Sequence, residues 1–240
     1  FRCIISFFIS FLILKNQGIY ILGNNKFLLL MRGVFGTIGL YFYFLIIQNI
    51  PLATASIIIY ITPIFTSIIG VFVLKEKINL LQSLCIFFAF LGILLIQGFD
   101  HRVTIDYLVL GLVGSFCAGC AYNIIRYLRD KEHSLVLVIY FPMIAFPIAG
   151  IISYFNWVNP SFNDLIILIT IGIVTQIAQY FMTKSFQSEK VSTVSIVSYT
   201  EIILVIAIGY QFFDETFNFL TYFGMFIVVI SVITSIIFSS

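Results

Sequence analysis

Charge is what this chain has least of. Asp, Glu, Lys and Arg make up 9% of its 240 residues, against 61% hydrophobic residues, and the mean hydropathy is +1.15. A soluble domain carries about 25% charged residues because its surface must be solvated, so soluble and nucleic-acid-binding functions are excluded. Histidine is almost missing: His101 and His133 fall in polar links, where a solvated histidine is the default. With a single mid-span carboxylate besides, no constellation of His, Cys and carboxylate converges, and neither an enzyme, a metal nor a cofactor is expected. No GxxxxGK[ST] run occurs, which excludes ATP hydrolysis by that route. The four cysteines, Cys3, Cys85, Cys117 and Cys120, all lie in apolar stretches. Cys117 and Cys120 form a CxxC, but no second pair or histidine accompanies it, so they read as small packing residues.

What is present is apolar sequence in long runs. A membrane helix needs about 20 such residues, whereas a transmembrane strand needs about 10 in strict alternation, and these runs are apolar on all sides. Breaking the chain at its polar clusters gives spans at 1–14, 27–47, 51–74, 79–97, 104–128, 134–155, 164–186, 191–213 and 217–238, eight full and one short. The links are only a few residues long, so no soluble domain is inserted. Ten of the twelve positive charges flank alternate links: Lys15, Lys26 and Arg32, then Lys75 and Lys77, then Arg126, Arg129 and Lys131, then Lys184 and Lys190. The other links hold only Arg102, with Arg2 near the start. Lys and Arg accumulate on the cytoplasmic side, which predicts a cytoplasmic carboxyl end. Trp157 and the Tyr-rich margins fit interfacial anchoring.

The chain also repeats itself. A shift of 139 residues superposes QNIPLATASIIIYITPIFTSIIGVFVLKEKINLL on QSEKVSTVSIVSYTEIILVIAIGYQFFDETFNFL without a gap, matching Gln48/Gln187, Ser56/Ser195, Tyr60/Tyr199, Glu76/Glu215 and Asn79/Asn218 among others. The same shift carries span 134–155 onto the short first span and span 104–128 to a place before Phe1. The expected fold is an all-α polytopic membrane protein of two inverted five-helix repeats, residues 1–98 and 104–240. It has nine helices here because the first is missing and the second is clipped. An odd number of helices per repeat inverts the second half, as the alternating charges require.

The residues MRGVFG, the run IPLATASIIIYITPIFTSIIGVFVLKEK and its partner VSTVSIVSYTEIILVIAIGYQFFDET resemble EamA-type members of the drug/metabolite transporter superfamily. In that family a helix of each repeat has a Pro near its centre and a Glu just past its end, which Pro63 and Glu76 match in the first half and Glu215 in the second. The chain departs from the pattern at Ile202, where the second repeat often has Pro. The resemblance implies a central cavity between the repeats and export or exchange of a small organic solute by alternating access. Such an integral protein is expected in the bacterial inner (cell) membrane, with a small-molecule solute and membrane lipid as partners, no nucleic acid, and a homodimer left open. A channel-like pore and a non-transport membrane assembly protein are the alternatives, although duplicated inverted halves favour a carrier that rocks between two states. Amino acids, nucleotide-related metabolites and cationic drugs all remain open as solutes.

The stretch VSIVSYTEIILVIAIGY holds one carboxylate, Glu201. An ionisable group at mid-membrane costs about 3 kcal/mol on insertion scales, so it faces the bundle interior as a rule and has a function. Glu201 is expected to bind a substrate ammonium, to carry a coupling proton, or to do both in alternation. The competing reading is a structural carboxyl bonded to hydroxyls such as that of Ser198. Its repeat equivalent, Thr62, is neutral. Other cavity candidates come in repeat-related pairs. Thr37 and Tyr41 share a helix face and correspond to Gln176 and Tyr180, and Ser56 and Tyr60 correspond to Ser195 and Tyr199. Asn123 is a further polar residue within a span. For each of these, interhelical hydrogen bonding is the plain alternative. Pro63, Pro142 and Pro147 lie within spans, where they weaken backbone bonding and act as hinges or as static kinks. Gly33, Gly36 and Gly39, like Gly111 and Gly114, permit close helix approach. Glu76 and Glu215 read as terminal charges that fix helix ends.

Overall fold

The computed structural model describes residues 1–49, 58–97, 105–155, 157–201, 204, 211 and 219–238. These residues are helical throughout, with short links: α1 Arg2–Asn16, α2 Lys26–Asn49, α3 Thr62–Val73, α4 Leu80–Gln97, α5 Ile105–Tyr127, α6 Ser134–Phe155, α7 Phe162–Ser188, α8 Val191–Ser198 and α9 Phe219–Ile237. Four of them, α2, α5, α6 and α7, are long and apolar enough to cross a membrane. The physical reason for the helices is that lipid offers no hydrogen bonds, so the backbone of a span must bond within itself. The start of α7 shows how local chemistry sets a boundary. Ser161 Oγ accepts the Asp164 N–H at 3.3 Å, and Asp164 Oδ2 accepts the Ser161 N–H at 3.0 Å, a reciprocal cap written in the tetrapeptide SFND.

The chain forms two compact units, each drawn from both halves of the sequence: residues 1–38 with 124–188, and residues 39–123 with 189–240. In the first unit α1 packs on α6 and α7, and α6 packs on α7. Its buried face holds Leu14, Leu29 and the first half of α6 from Leu135 to Phe141. Close approach depends on glycine: a Cβ on Gly33 would lie 2.7 Å from the Tyr140 carbonyl oxygen. In the second unit α4 packs along α9, and α8 packs on α3, α4 and α9. The core there comprises Cys85, Ile86, Ala89, Ile93, Ile196, Tyr199, Val228 and Val232, so Cys85 is a packing residue, as expected. All four cysteines are free thiols. Here too glycine sets the spacing: a Cβ on Gly39 would stand 3.1 Å from the Gly114 carbonyl oxygen.

Many large apolar side chains are exposed. On α7 alone they include Ile166, Ile167, Val174, Ile177 and Phe181. A water-soluble monomer rarely presents so continuous an apolar face, and in a bilayer lipid covers it.

Candidate functional site

The expected span 51–74 is not one helix in its described part, and neither is 191–213. The backbone turns at Tyr60 and Ile61 before α3 begins at Thr62, and it turns again at Tyr199 and Thr200 after α8 ends at Ser198. These two interruptions are 139 residues apart, in the register that relates the two halves. Each lies beside residues that sequence reasoning selects: Tyr60, Thr62 and Pro63 at the first, Tyr199 and Glu201 at the second. Ser56 lies outside the described residues.

A broken helix in lipid leaves carbonyl groups without their usual partners, and these must be satisfied elsewhere. Tyr199, fully buried, donates its hydroxyl to the Tyr60 carbonyl at 3.0 Å, and the two rings lie 6.3 Å apart, centroid to centroid. The Ile58 carbonyl accepts the Ile61 N–H at 3.3 Å and the Ser115 hydroxyl of α5 at 2.9 Å. The first break is therefore held open by side chains from elsewhere in the same unit. Ser115 is a residue that sequence reasoning missed, and its signal was a lone hydroxyl in an apolar run.

Pro63 lies in the first turn of α3, where its lost N–H is not needed and its ring is tolerated. It thus sits at the helix start rather than in an unbroken span. Beyond it, Thr62 and Thr66 are buried, with the Thr66 hydroxyl donating to the Thr62 carbonyl at 2.7 Å. Asn123 is 2% exposed and donates through Nδ2 to the Thr66 and Gly119 carbonyls, both at 2.9 Å. Among the described residues its Oδ1 has no hydrogen-bond donor, and Ser195 Oγ, also buried, is in the same condition.

Glu201 is exposed on the chain. The Ser198 hydroxyl donates to the Ser195 carbonyl at 2.7 Å rather than to Glu201. The arrangement is a pair of helix breaks joined by the Tyr199 to Tyr60 bond, with buried Thr and Asn groups along α3 and α5 and an exposed carboxylate directly after one break.

None of the other candidates has a described hydrogen bond to this pair. Tyr41 is exposed on α2. In the first unit, Thr37 donates to the Gly33 carbonyl at 2.8 Å within its own helix. Gln176 is 3% exposed and donates to Ser10 Oγ at 2.7 Å, an interhelical bond between α7 and α1. Tyr180 is half-buried and lies under the Lys184 ammonium, 5.9 Å from the ring centre. Pro142 and Pro147 both lie inside α6, which continues through them; Pro142 is buried and Pro147 exposed.

Two groups that sequence reasoning assigned to links have structural work in the first unit. Glu132 is 8% exposed, and its Oε1 accepts the N–H groups of Asn24 and Asn25 at 2.7 and 2.6 Å, so it holds the turn that leads into α2. Gly23, with φ of 58°, lies so close to this carboxylate that a Cβ would be 2.6 Å from Oε2. Arg32 is counted with the first link by its charge, yet it lies within α2 at 2% exposure, with its guanidinium 5.4 Å from the centre of the Phe141 ring. In the second unit Glu76 does fix a helix end: its Oε2 accepts the Val191 N–H at 3.0 Å, the first of α8. Glu215 lies outside the described residues.

Comparison with known proteins agrees with this architecture. The EamA-like transporter family model matches residues 1–98 and 106–237. The chain is similar to the pseudopaline exporter CntI of Pseudomonas aeruginosa, with 29% identity over 97% of this chain and 83% of that protein. It is also similar to mouse solute carrier family 35 member G1, with 26% identity over 96% of this chain and 68% of that protein. A solved crystal structure superposes with a TM-score of 0.79 at 15% identity, covering 98% of this chain and 85% of that one, a likeness of fold.

Proposed function

The chain belongs to the EamA-like transporter family, and from that premise we propose that it is a secondary carrier, and not an enzyme or a channel, which exports or exchanges a small organic metabolite by alternating access. The observation that carries this reading is the pair of helix breaks. Discontinuous membrane helices at corresponding positions of two repeats are the recurring place for a carrier's substrate, and the Tyr199 to Tyr60 bond joins two such positions. A residue that contacts its own repeat equivalent lies on a local two-fold axis. The packing of α1 on α6 and of α4 on α9 pairs elements related by the same shift. These contacts support two inverted repeats, residues 1–98 and 104–240, with a central cavity between them.

Glu201 is the coupling or substrate-binding carboxylate in this reading, opposite a neutral Thr62, which makes the two halves chemically unequal. A lone carboxylate favours a solute with a positive group. One relative's name, an exporter, supports outward movement from a bacterial cell. The charge distribution of the links supports an inner-membrane location with the carboxyl end in the cytoplasm.

The test is a metabolite profile of cells and medium for the full-length protein, comparing wild type, Glu201→Gln and empty vector at equal membrane abundance. A solute moved by wild type and not by Glu201→Gln supports the carrier and its carboxylate. Equal movement by both overturns the role of Glu201. Conduction that rises linearly with solute and shows no exchange across the membrane overturns the carrier in favour of a pore.

A further inference from the structure

The α3–α4 link and the start of α8, joined by a hydrogen bond between residues 115 apart, meet in the second unit. Together they line a cavity of about 1060 Å³. Lys75 and Lys77 come from the α3–α4 link and Lys190 from the start of α8, and all three line this cavity along with one carboxylate, Glu76. That carboxylate is drawn to the first N–H of α8, so the formal charge of the lining is positive. Lys75 has a φ of 55°, a left-handed conformation that a lysine rarely adopts, and its side chain is among those that line the cavity.

Two of the polar residues that line the cavity are buried. Gln82 is 2% exposed and Ser67 is 3% exposed. Ser67 Oγ has no hydrogen-bond partner among the described residues, although both residues line the cavity. A buried hydroxyl left so is costly in a medium without water, and a ligand atom that reaches it removes the cost.

Most of the remaining wall is apolar, with Asn79 and Ser83 the polar exceptions. Phe72 is 78% exposed, Phe87 55% and Phe238 58%. On a membrane protein such side chains face acyl chains. Three lysines, a buried hydroxyl and exposed aromatic side chains in one lining fit a ligand that is an oxyanion at one end and hydrocarbon at the other.

We propose that this cavity is a binding site for an anionic membrane phospholipid, its phosphate and headgroup held by Lys75, Lys77 and Lys190 and its chains laid against Phe72, Phe87 and Phe238. Basic groups at the membrane surface attract anionic lipid, and lysine stems reach along apolar surface while the ammonium stays at the headgroup level. The site is independent of the transported solute and of Glu201.

Native mass spectrometry of the full-length protein, released from neutral detergent with equal amounts of phosphatidylglycerol and phosphatidylcholine, tests it. Wild type should retain phosphatidylglycerol roughly ten-fold or more in preference. Lys75→Gln/Lys77→Gln/Lys190→Gln should lose that preference, and Lys15→Gln/Lys26→Gln/Lys131→Gln, changed outside the cavity, should keep it. If the triple variant does not fold, Lys190→Gln alone should lower the preference by roughly two- to five-fold. Equal retention of the two lipids by wild type, or an unchanged preference in the cavity variants, overturns the site. Displacement of phosphatidylglycerol by millimolar inorganic phosphate assigns the oxyanion to a soluble ligand and overturns the lipid.

Discussion

At the scale of single residues, several polar groups of this chain repair the backbone. Tyr199, Ser115, Glu132 and Glu76 each satisfy a backbone group at a helix break or a helix start. Removing such a partner leaves a buried backbone group unmet, at a cost of about 1–3 kcal/mol. Tyr199→Phe, which keeps the ring and deletes only the hydroxyl, should therefore lower thermal stability by that amount, read as a drop in the unfolding midpoint in detergent. Glu132→Gln should do the same for the turn before α2, because its two short bonds to Asn24 and Asn25 lose their charge assistance. Neither change should alter the pH dependence of transport. Glu201 is the contrast: Glu201→Gln should leave the midpoint within about 0.5 kcal/mol, as for an exposed surface position, while flux in proteoliposomes falls and no longer varies with pH. A normal pH response in that variant would return Glu201 to a structural carboxyl.

At the scale of elements, proline and glycine act by position. Pro63 stands where α3 begins, so Pro63→Ala should change stability by no more than about 1 kcal/mol, with the break at Tyr60 intact because side-chain bonds hold it. Gly33 is the opposite case. A side chain there meets the Tyr140 backbone oxygen and the Ile144 side chain, and the backbone cannot yield as a side chain can. Gly33→Val should cost about 1–3 kcal/mol through overpacking and should reduce the folded fraction recovered from membranes, measured by size-exclusion profile. Both tyrosines were legible in the repeat, and Pro63 in the family resemblance. That the helices stop beside them was not, because the hydropathy of the two runs is unbroken.

At the scale of the whole molecule, the alternation of positive charge along the links predicts the topology. A single cysteine introduced at Asn159, in the link between α6 and α7, should react with a membrane-impermeant maleimide added outside intact cells, whereas one at Lys131 should react only after permeabilisation. The reverse pattern would invert the orientation. The sequence by itself determined the membrane solvent, the helical class and the 139-residue register that relates its two halves. Each of these follows from local composition and spacing, since a backbone in lipid has few options. Only the tertiary structure decided which polar residues meet. Gln176 bonds Ser10, Asn123 bonds the Thr66 carbonyl, and Glu132 reaches the start of α2, and each pair is far apart in the chain. It also decided that each compact unit draws on both halves, and that Lys75, Lys77 and Lys190 share one cavity. Helix formation is a property of neighbouring residues, whereas the partner of a buried polar group is chosen by packing, which places it wherever the fold brings a donor to an acceptor.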